Sequence, residues 1–447
     1  GPNYGRMDMG QGQKVLVEFV STNPTGPLHV GHGRGAALGD ALARILSATG
    51  YDVSREYYVN DTGNQARTLG RSVLYRYLEI YGREVEFTNN LYQGDYIKDL
   101  AAEVKEREQD RFLNMPEDEA VEVLYPWAIE RVLEGIKDDL ASFNIKFDRY
   151  FSEKSLDEEG KLTQTLDDLK ARGHIYEKDG AVWFRSSSFG DDKDRPVIKS
   201  NGDTTYVTPD LVYHREKFLR GYDRLINILG ADHHGYVPRL KAGIEAMGFD
   251  RTRLKVLLVQ MVNWLRGGTP VAMSTRAGEY VTVKEVLDEV GPDAARFIFL
   301  SRRPESRLDF DLDVAKSKTS ENPVFYVQYA HARITSVFRT ASQEGIDLPG
   351  PEEADLALLA NEEEMALIKH LATFPDLVEG AAANLEPHRV THYLTELAGL
   401  FHPYYNHHRF IGQDAALSEA RLYLARCIQQ TLANGLELLG VNAPESM

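Results

Sequence analysis

Cysteine is almost absent from this 447-residue chain: Cys427 stands alone, which excludes an intramolecular disulfide and fits a reducing, cytoplasmic setting. Long apolar runs are missing too. No stretch approaches the eighteen or so residues of a membrane helix, and no secretory pattern opens the chain. Positive charge is in deficit, with 51 Lys and Arg against 68 Asp and Glu, a net charge of −17. Such a chain is no general polyanion binder; any nucleic acid must be met by a local basic or aromatic face. What remains is ordinary for a soluble globular protein, 43% hydrophobic and 27% charged, and too long for one compact core.

Residues 1–13 are glycine-rich, lack periodicity and read as a tail or linker. "KVLVEFV" (Lys14–Val20) has the β-branched character of a buried strand, and a Pro-Thr-Gly-Pro loop follows it. Leu38, Ala41, Leu42, Ile45 and Leu46 then fall at helical spacing until Gly50, and "DVSREYYV" (Asp52–Val59) returns to strand. Strand, loop, helix and strand make a βαβ unit, hence the start of a parallel sheet. After an acidic helical stretch, Ala181–Asp210 reads as short antiparallel strands inserted between two halves of that sheet. Arg224–Gly230 and Arg253–Val262 supply the second half. Thr282 and Glu285 have capping-box spacing, opening a helix that Gly291-Pro292 ends. Past Lys316 nearly everything is helix-patterned.

The fold expected is therefore α/β. A Rossmann-like parallel-sheet domain (14–75 and 201–282) is split by an inserted region (76–200). A connecting helical segment (283–315) leads to an all-α bundle (316–447).

Chemistry concentrates at "NPTGPLHVGHGRGAALGD" (Asn23–Asp40). Gly31-x-Gly33-x-x-Ala36 imitates a dinucleotide fingerprint. In that fingerprint the glycines follow the strand directly, whereas here a proline loop separates Val20 from Gly31. No Gly-Lys-Ser/Thr follows, which removes a Walker A loop. What is left is His29 and His32 around the first turn of a helix. Free backbone N–H groups and two imidazole donors can hold phosphate there, and Gly31 and Gly33 let a flat ligand approach the backbone. The plain alternative is a pair of helix-capping histidines.

Pro27-Leu-His29-Val-Gly-His32 resembles the HIGH signature of class I aminoacyl-tRNA synthetases. The surrounding segment is similar to the arginyl-tRNA synthetase family in particular. "YYVNDTGNQ" (Tyr57–Gln65), "TYVTPDLVYH" (Thr205–His214), "LGADHHGYVPR" (Leu229–Arg239), "MSTRAGEYVT" (Met273–Thr282) and "PVFYVQYAHARI" (Pro323–Ile334) resemble further family blocks, in family order.

This resemblance implies a ligase that activates arginine with ATP and Mg²⁺, releases pyrophosphate and transfers arginine to the 3′-terminal ribose of tRNA(Arg). It can require bound tRNA for the first step. An arginine substrate needs carboxylates, because the guanidinium fork binds carboxylate bidentately. Glu18 and Asp210 match the family positions for this grip, with Tyr206 beside them and Asn23 at the amino acid's main-chain end. Gly230, Asp232 and His233 match the adenosine side, and His233 also borders the arginine. Taken locally, Glu18 could instead be a strand-edge ion pair and Asp210 a helix N-cap. The Asp-His-His run lacks a partner cluster with ligand spacing, so no structural metal is expected.

Two departures stand out. The second family signature carries lysines that neutralise ATP phosphates; here Met273, Ser274 and Arg276 occupy that segment and neither lysine is present. Arg276 or Arg266 is the expected substitute cation. Members also usually carry an N-terminal domain ahead of the first strand, whereas Lys14 opens the strand here. Both departures leave room for a weak or inactive paralogue that keeps tRNA and ATP binding. A HIGH-type nucleotidyltransferase without tRNA is a second alternative, opposed by the helical C-terminal region. That region resembles an anticodon-binding domain. Tyr326, Gln328, Tyr329 and Arg333 are its expected RNA contacts, since RNA loops are read by stacking and by hydrogen bonds to splayed bases. Aromatics at helical spacing are also ordinary core. A cytoplasmic monomer without membrane contact completes the expectation.

Overall fold

The computed structural model describes residues 1–273, 281–348, 350, 352–412 and 414–447. Strand β1 (Lys14–Glu18) leads through a proline loop to α1 (Gly33–Ala48) and β2 (Asp52–Val59), the expected βαβ unit. Three helices, α2 (Gly63–Ile80), α3 (Asp95–Glu108) and α4 (Glu117–Ser142), cross to β3 (Arg149–Ser152). Short helices α5 (Lys154–Glu158) and α6 (Lys161–Ala171) precede an antiparallel sheet of β4 (Ile175–Lys178), β5 (Ala181–Phe184) and β6 (Arg195–Ile198). Then α7 (Val207–Leu219), β7 (Arg224–Gly230), α8 (Val237–Ala246) and β8 (Leu254–Val259) complete the second half. The main sheet runs β3-β2-β1-β7-β8, all parallel. Neighbours β1 and β7 come from the two halves, so the strand order changes direction between them, where open α/β sheets bind ligands at carboxyl ends.

Helix α1 is buried along nearly its whole length. Gly39 is required: a Cβ there would fall inside the Phe19 ring. The helix ends at Gly50, whose φ of 87° suits glycine.

A second small sheet holds β9 (Val262–Arg266), β10 (Thr269–Pro270) and β11 (Leu308–Asp311), with α9 (Val283–Val290) and α10 (Pro292–Phe299) between the last two. The Thr282–Glu285 capping box forms as its spacing predicts. Residues 308–311, expected to be helical, are instead a strand parallel to β9, buried through Leu308 and Phe310. After α11 (Leu312–Lys316) come the long helices of the C-terminal bundle: α12 (Pro323–Gln343), α13 (Glu362–Ala372), α14 (Phe374–Asn384), α15 (His388–His407) and α16 (Ala415–Leu439).

Residues 1–13, expected to be a tail, are strapped across both halves of the molecule. The Met7 and Gly10 amides donate to the Ala48 and Thr49 carbonyls at the end of α1 (3.0 and 2.8 Å). Tyr4 donates to the Leu371 carbonyl (2.7 Å), and Asn434 of α16 donates to the Tyr4 carbonyl (2.9 Å). No periodicity announces such a segment because backbone bonds and a few irregularly spaced side chains, Tyr4, Met7 and Met9, make the contacts. Among the described residues no helix is long and apolar enough to cross a membrane.

Candidate active site

β1 stops at Glu18, and the backbone turns left-handed at Val20 (φ 66°) and Ser21 (φ 45°), a costly conformation for a β-branched valine. β2 holds the turn in place. The Tyr58 amide donates to Ser21 Oγ (3.1 Å), and Tyr57 Oη donates to the Thr22 carbonyl (2.8 Å). Asn23 follows, exposed, its amide donating to Gln65 Oε1.

Val30–His32 forms a 3₁₀ turn rather than the first turn of α1. His29 caps it, with Nδ1 accepting from the Gly31 amide (2.9 Å). The capping alternative for His29 is thus realised, and it has a chemical consequence. With Nδ1 an acceptor, the neutral ring carries its proton on Nε2. The two imidazoles lie edge to face, 5.7 Å between centroids. Burial lowers the pKa of His29, and burial together with His29 lowers that of His32 to about 4, so both are neutral donors at physiological pH. His32 Nδ1 is buried without a hydrogen bond among the described residues. Gly33 sits against Phe299, which a Cβ would approach to 3.1 Å. Arg34, fully buried, donates to the carbonyls of Gln260, Arg303 and Ser306 (2.7–2.9 Å), tying the start of α1 to the far half of the fold.

The second signature meets the first through backbone. The Val30 amide donates to the Val281 carbonyl (2.9 Å), the Val283 amide to Leu28 (2.8 Å), and the Val281 amide to the Met273 carbonyl (3.1 Å). Val281 is therefore anchored on the His29 loop, and Met273 is held to that loop through Val281. Ser274 and Arg276 lie outside the described residues. Arg266 is committed elsewhere, to Glu289 (2.8 Å) and Asp313 (3.3 Å), and the expectation that it serves ATP is not supported.

Asp210 lies in the first turn of α7, whose N-cap is Tyr206, so the N-cap alternative fails. Tyr236 donates to its Oδ2. Desolvation pushes the Asp210 carboxyl up to about 7; the Tyr236 hydrogen bond opposes this, while Glu18 and Glu153 add to it. Tyr206 is 71% exposed, stacks 6.1 Å from Tyr236 and accepts from Arg239 (3.1 Å). Glu18 is buried and does form an ion pair, with Lys217 of α7, which is 0% exposed. Gly230, at the end of β7, caps the turn Ala231–Tyr236 that presents Asp232 and His233, 3.5 Å apart and open to solvent. No three His, Cys, Asp or Glu groups gather as a metal site among the described residues.

Sequence reasoning missed Lys217, His214, Asn227 and Tyr236. A signal existed for two of them. Asp210, His214 and Lys217 follow a helical i, i+4, i+7 spacing on a face that also holds the buried Leu211 and Phe218.

The expected RNA contacts divide. On α12 Arg333 lies over the rings of Tyr329 (4.5 Å) and Tyr405 (4.6 Å), and Tyr326 packs 4.4 Å from His402. All of these except His402 are half-buried and reachable. Gln328 is not reachable. It is buried, donating to Asp293 (2.9 Å) and to the Asn442 carbonyl (2.8 Å), because its side of α12 faces α10 and the chain end. Its role is to join domains, which corrects the expectation of RNA contact.

Residues 3–335 match the family described as tRNA synthetases class I (R), catalytic domain, and residues 327–447 match the DALR anticodon binding domain. The chain is 53% identical over 448 residues to the arginine–tRNA ligase of Geobacter sp. (strain M21), covering 100% of this chain and 81% of that protein. Among solved structures, a Campylobacter jejuni chain assigned as an arginyl-tRNA synthetase superposes with TM-score 0.93 at 39% identity, covering 100% of this chain and 96% of that one. Thermus thermophilus arginyl-tRNA synthetase superposes with TM-score 0.77 at 26% identity, covering 97% and 83%. The chain belongs to the arginyl-tRNA synthetase family of class I synthetases.

Proposed function

We propose that this chain is an arginine–tRNA ligase whose site lies across the carboxyl ends of β1 and β7. Identity of 53% to an arginine–tRNA ligase, over all of this chain and 81% of that protein, supports this over an inactive paralogue. The observation that carries the residue-level reading is the sheet order. Adjacent parallel strands β1 and β7 end in Glu18 and Gly230 at their carboxyl ends, the His29–Gly33 turn follows β1, and Lys217 bridges Glu18 to α7, which carries Asp210.

ATP, entering with Mg²⁺, lies over His29, Gly31, His32 and Gly33, with its adenosine toward Gly230, Asp232 and His233. Arginine lies against Glu18, Asn23, Tyr206, Asp210 and His233. One arginine carboxylate oxygen attacks the α-phosphorus in line, and the bond to the bridging oxygen breaks to release pyrophosphate. The neutral imidazoles donate to phosphate oxygens as charge builds. Met273, Ser274 and Arg276 border the leaving pyrophosphate. The ribose hydroxyl of tRNA(Arg) then attacks the acyl carbon, AMP leaves and the hydroxyl proton is released. Tyr326, Tyr329 and Arg333 meet the anticodon region. The protein works as a cytoplasmic monomer.

Dependence of activation on tRNA has a mechanical basis in α1, which carries the histidine turn at its start and packs on α16. Arg296 of α10 donates both to Asp40 of α1 and to the Leu439 carbonyl of α16 (2.5 and 2.8 Å). Transfer of labelled arginine to tRNA(Arg), compared for the native protein and Glu18→Gln, tests the reading. Loss in the variant is expected, and equal charging would refute the assignment of Glu18.

A further inference from the structure

We propose that Lys217 is a positioning residue for the substrate: its buried ammonium occupies one oxygen of Glu18 and reserves the other for the guanidinium of arginine. The inference rests on the site assignment above.

Lys217 Nζ donates to Glu18 Oε2 and to Asn227 Oδ1 (3.2 Å), and stands 4.1 Å from the Tyr213 ring centre. The chain continues behind it. Asn227 Nδ2 meets His214 Nε2 (2.9 Å), and His214 Nδ1 meets the backbone carbonyl of Asp210 (2.7 Å). Burial first, and Lys217 second, lower the His214 pKa to about 3, so the ring is neutral and has one proton. A carbonyl only accepts, which puts that proton on Nδ1. Nε2 must then accept from the Asn227 amide nitrogen, and this turns the amide oxygen toward Lys217. Every direction in the chain is determined, from the Glu18 carboxylate to the backbone of Asp210.

The two carboxylates end up alike. Glu18 has Oε2 held by Lys217, and Asp210 has Oδ2 held by Tyr236. No hydrogen bond reaches Glu18 Oε1 or Asp210 Oδ1 among the described residues. One oxygen on each of two separate carboxylates suits a planar fork with donors on several nitrogens, and suits a compact ammonium poorly. A buried ion pair is a poor device for stability alone, since apolar residues of similar volume usually serve as well. Placement beside the substrate supplies the reason for keeping it.

The test is arginine-dependent ATP–pyrophosphate exchange with tRNA present, comparing native protein, Lys217→Met and Lys217→Arg. In Lys217→Met the arginine KM rises about tenfold or more, as expected when a charged hydrogen-bonding partner is lost, while the ATP KM stays within about twofold. The pH profile for arginine moves to higher pH. Asp210 is faced by Glu18 from β1, Tyr58 from β2, Glu153 beyond β3, Tyr236 before α8, and His214 and Lys217 from its own helix; only Lys217 is a cation. Lys217→Arg recovers part of the affinity. An unchanged arginine KM and pH profile in Lys217→Met would overturn the proposal, as would parallel rises in both KM values, which mark a merely structural role. If Lys217→Met fails to fold, Asn227→Ala carries the same test: a selective rise in arginine KM supports the proposal and no rise overturns it. Failure of the native protein to exchange would instead defeat the site assignment itself.

Discussion

Raising the pH from 6 to 8 should tighten arginine binding through Asp210. Burial sets this carboxyl at about 7, so it is about one-tenth ionised at pH 6 and about nine-tenths ionised at pH 8. A guanidinium binds the carboxylate, not the neutral acid, so kcat/KM for arginine rises about tenfold across that interval and levels off above it. His32 and His214, lowered by burial to about 4 and 3, stay neutral across that interval. The assay is pyrophosphate exchange at saturating ATP with arginine varied at each pH. Asp210→Asn should flatten the profile and lower kcat/KM by about 10–100-fold, the loss of a hydrogen bond to a charged group. Stability carries the opposite sign. A carboxyl raised on folding destabilises the free protein as pH climbs from the ordinary carboxylate range toward 7. Arginine recovers that loss, so it raises Tm more at pH 8 than at pH 6. A flat native profile, or the same rise in Asp210→Asn, would refute the reasoning.

Arg266→Ala should leave the ATP KM within about twofold, because the guanidinium is already held by Glu289 and Asp313; steady-state exchange kinetics check this. Thr282→Ala removes the capping box and should cost about 1 kcal/mol in denaturant unfolding. Gly39→Ala forces a methyl into Phe19 and should destabilise by about 1–3 kcal/mol or more, read from the midpoint of urea unfolding.

Local pattern made the framework legible. Asp52–Val59 and Arg224–Gly230 have the bounds their β-branched runs suggest, and Thr282 and Glu285 cap a helix because that motif is complete within four residues. The turn ahead of α1 was legible from its prolines, glycines and histidines, but its 3₁₀ geometry was not, since the His29 cap depends on one side-chain rotamer. Contacts across long sequence separation were invisible. Lys217 reads as an ordinary helix lysine until β1 and β7 come together and put Glu18 beside it. Gln328 looks like an RNA-reading residue until Asp293 and Asn442 close over it. Leu308–Asp311 alternates apolar and acidic residues, but a four-residue run paired only to β9 is too short to outweigh its helical neighbours.

Arginine-dependent ATP–pyrophosphate exchange, run with and without tRNA(Arg), tests the central claim most directly. Exchange that requires arginine and is strongest with tRNA present is the predicted result. No exchange under either condition would contradict the account.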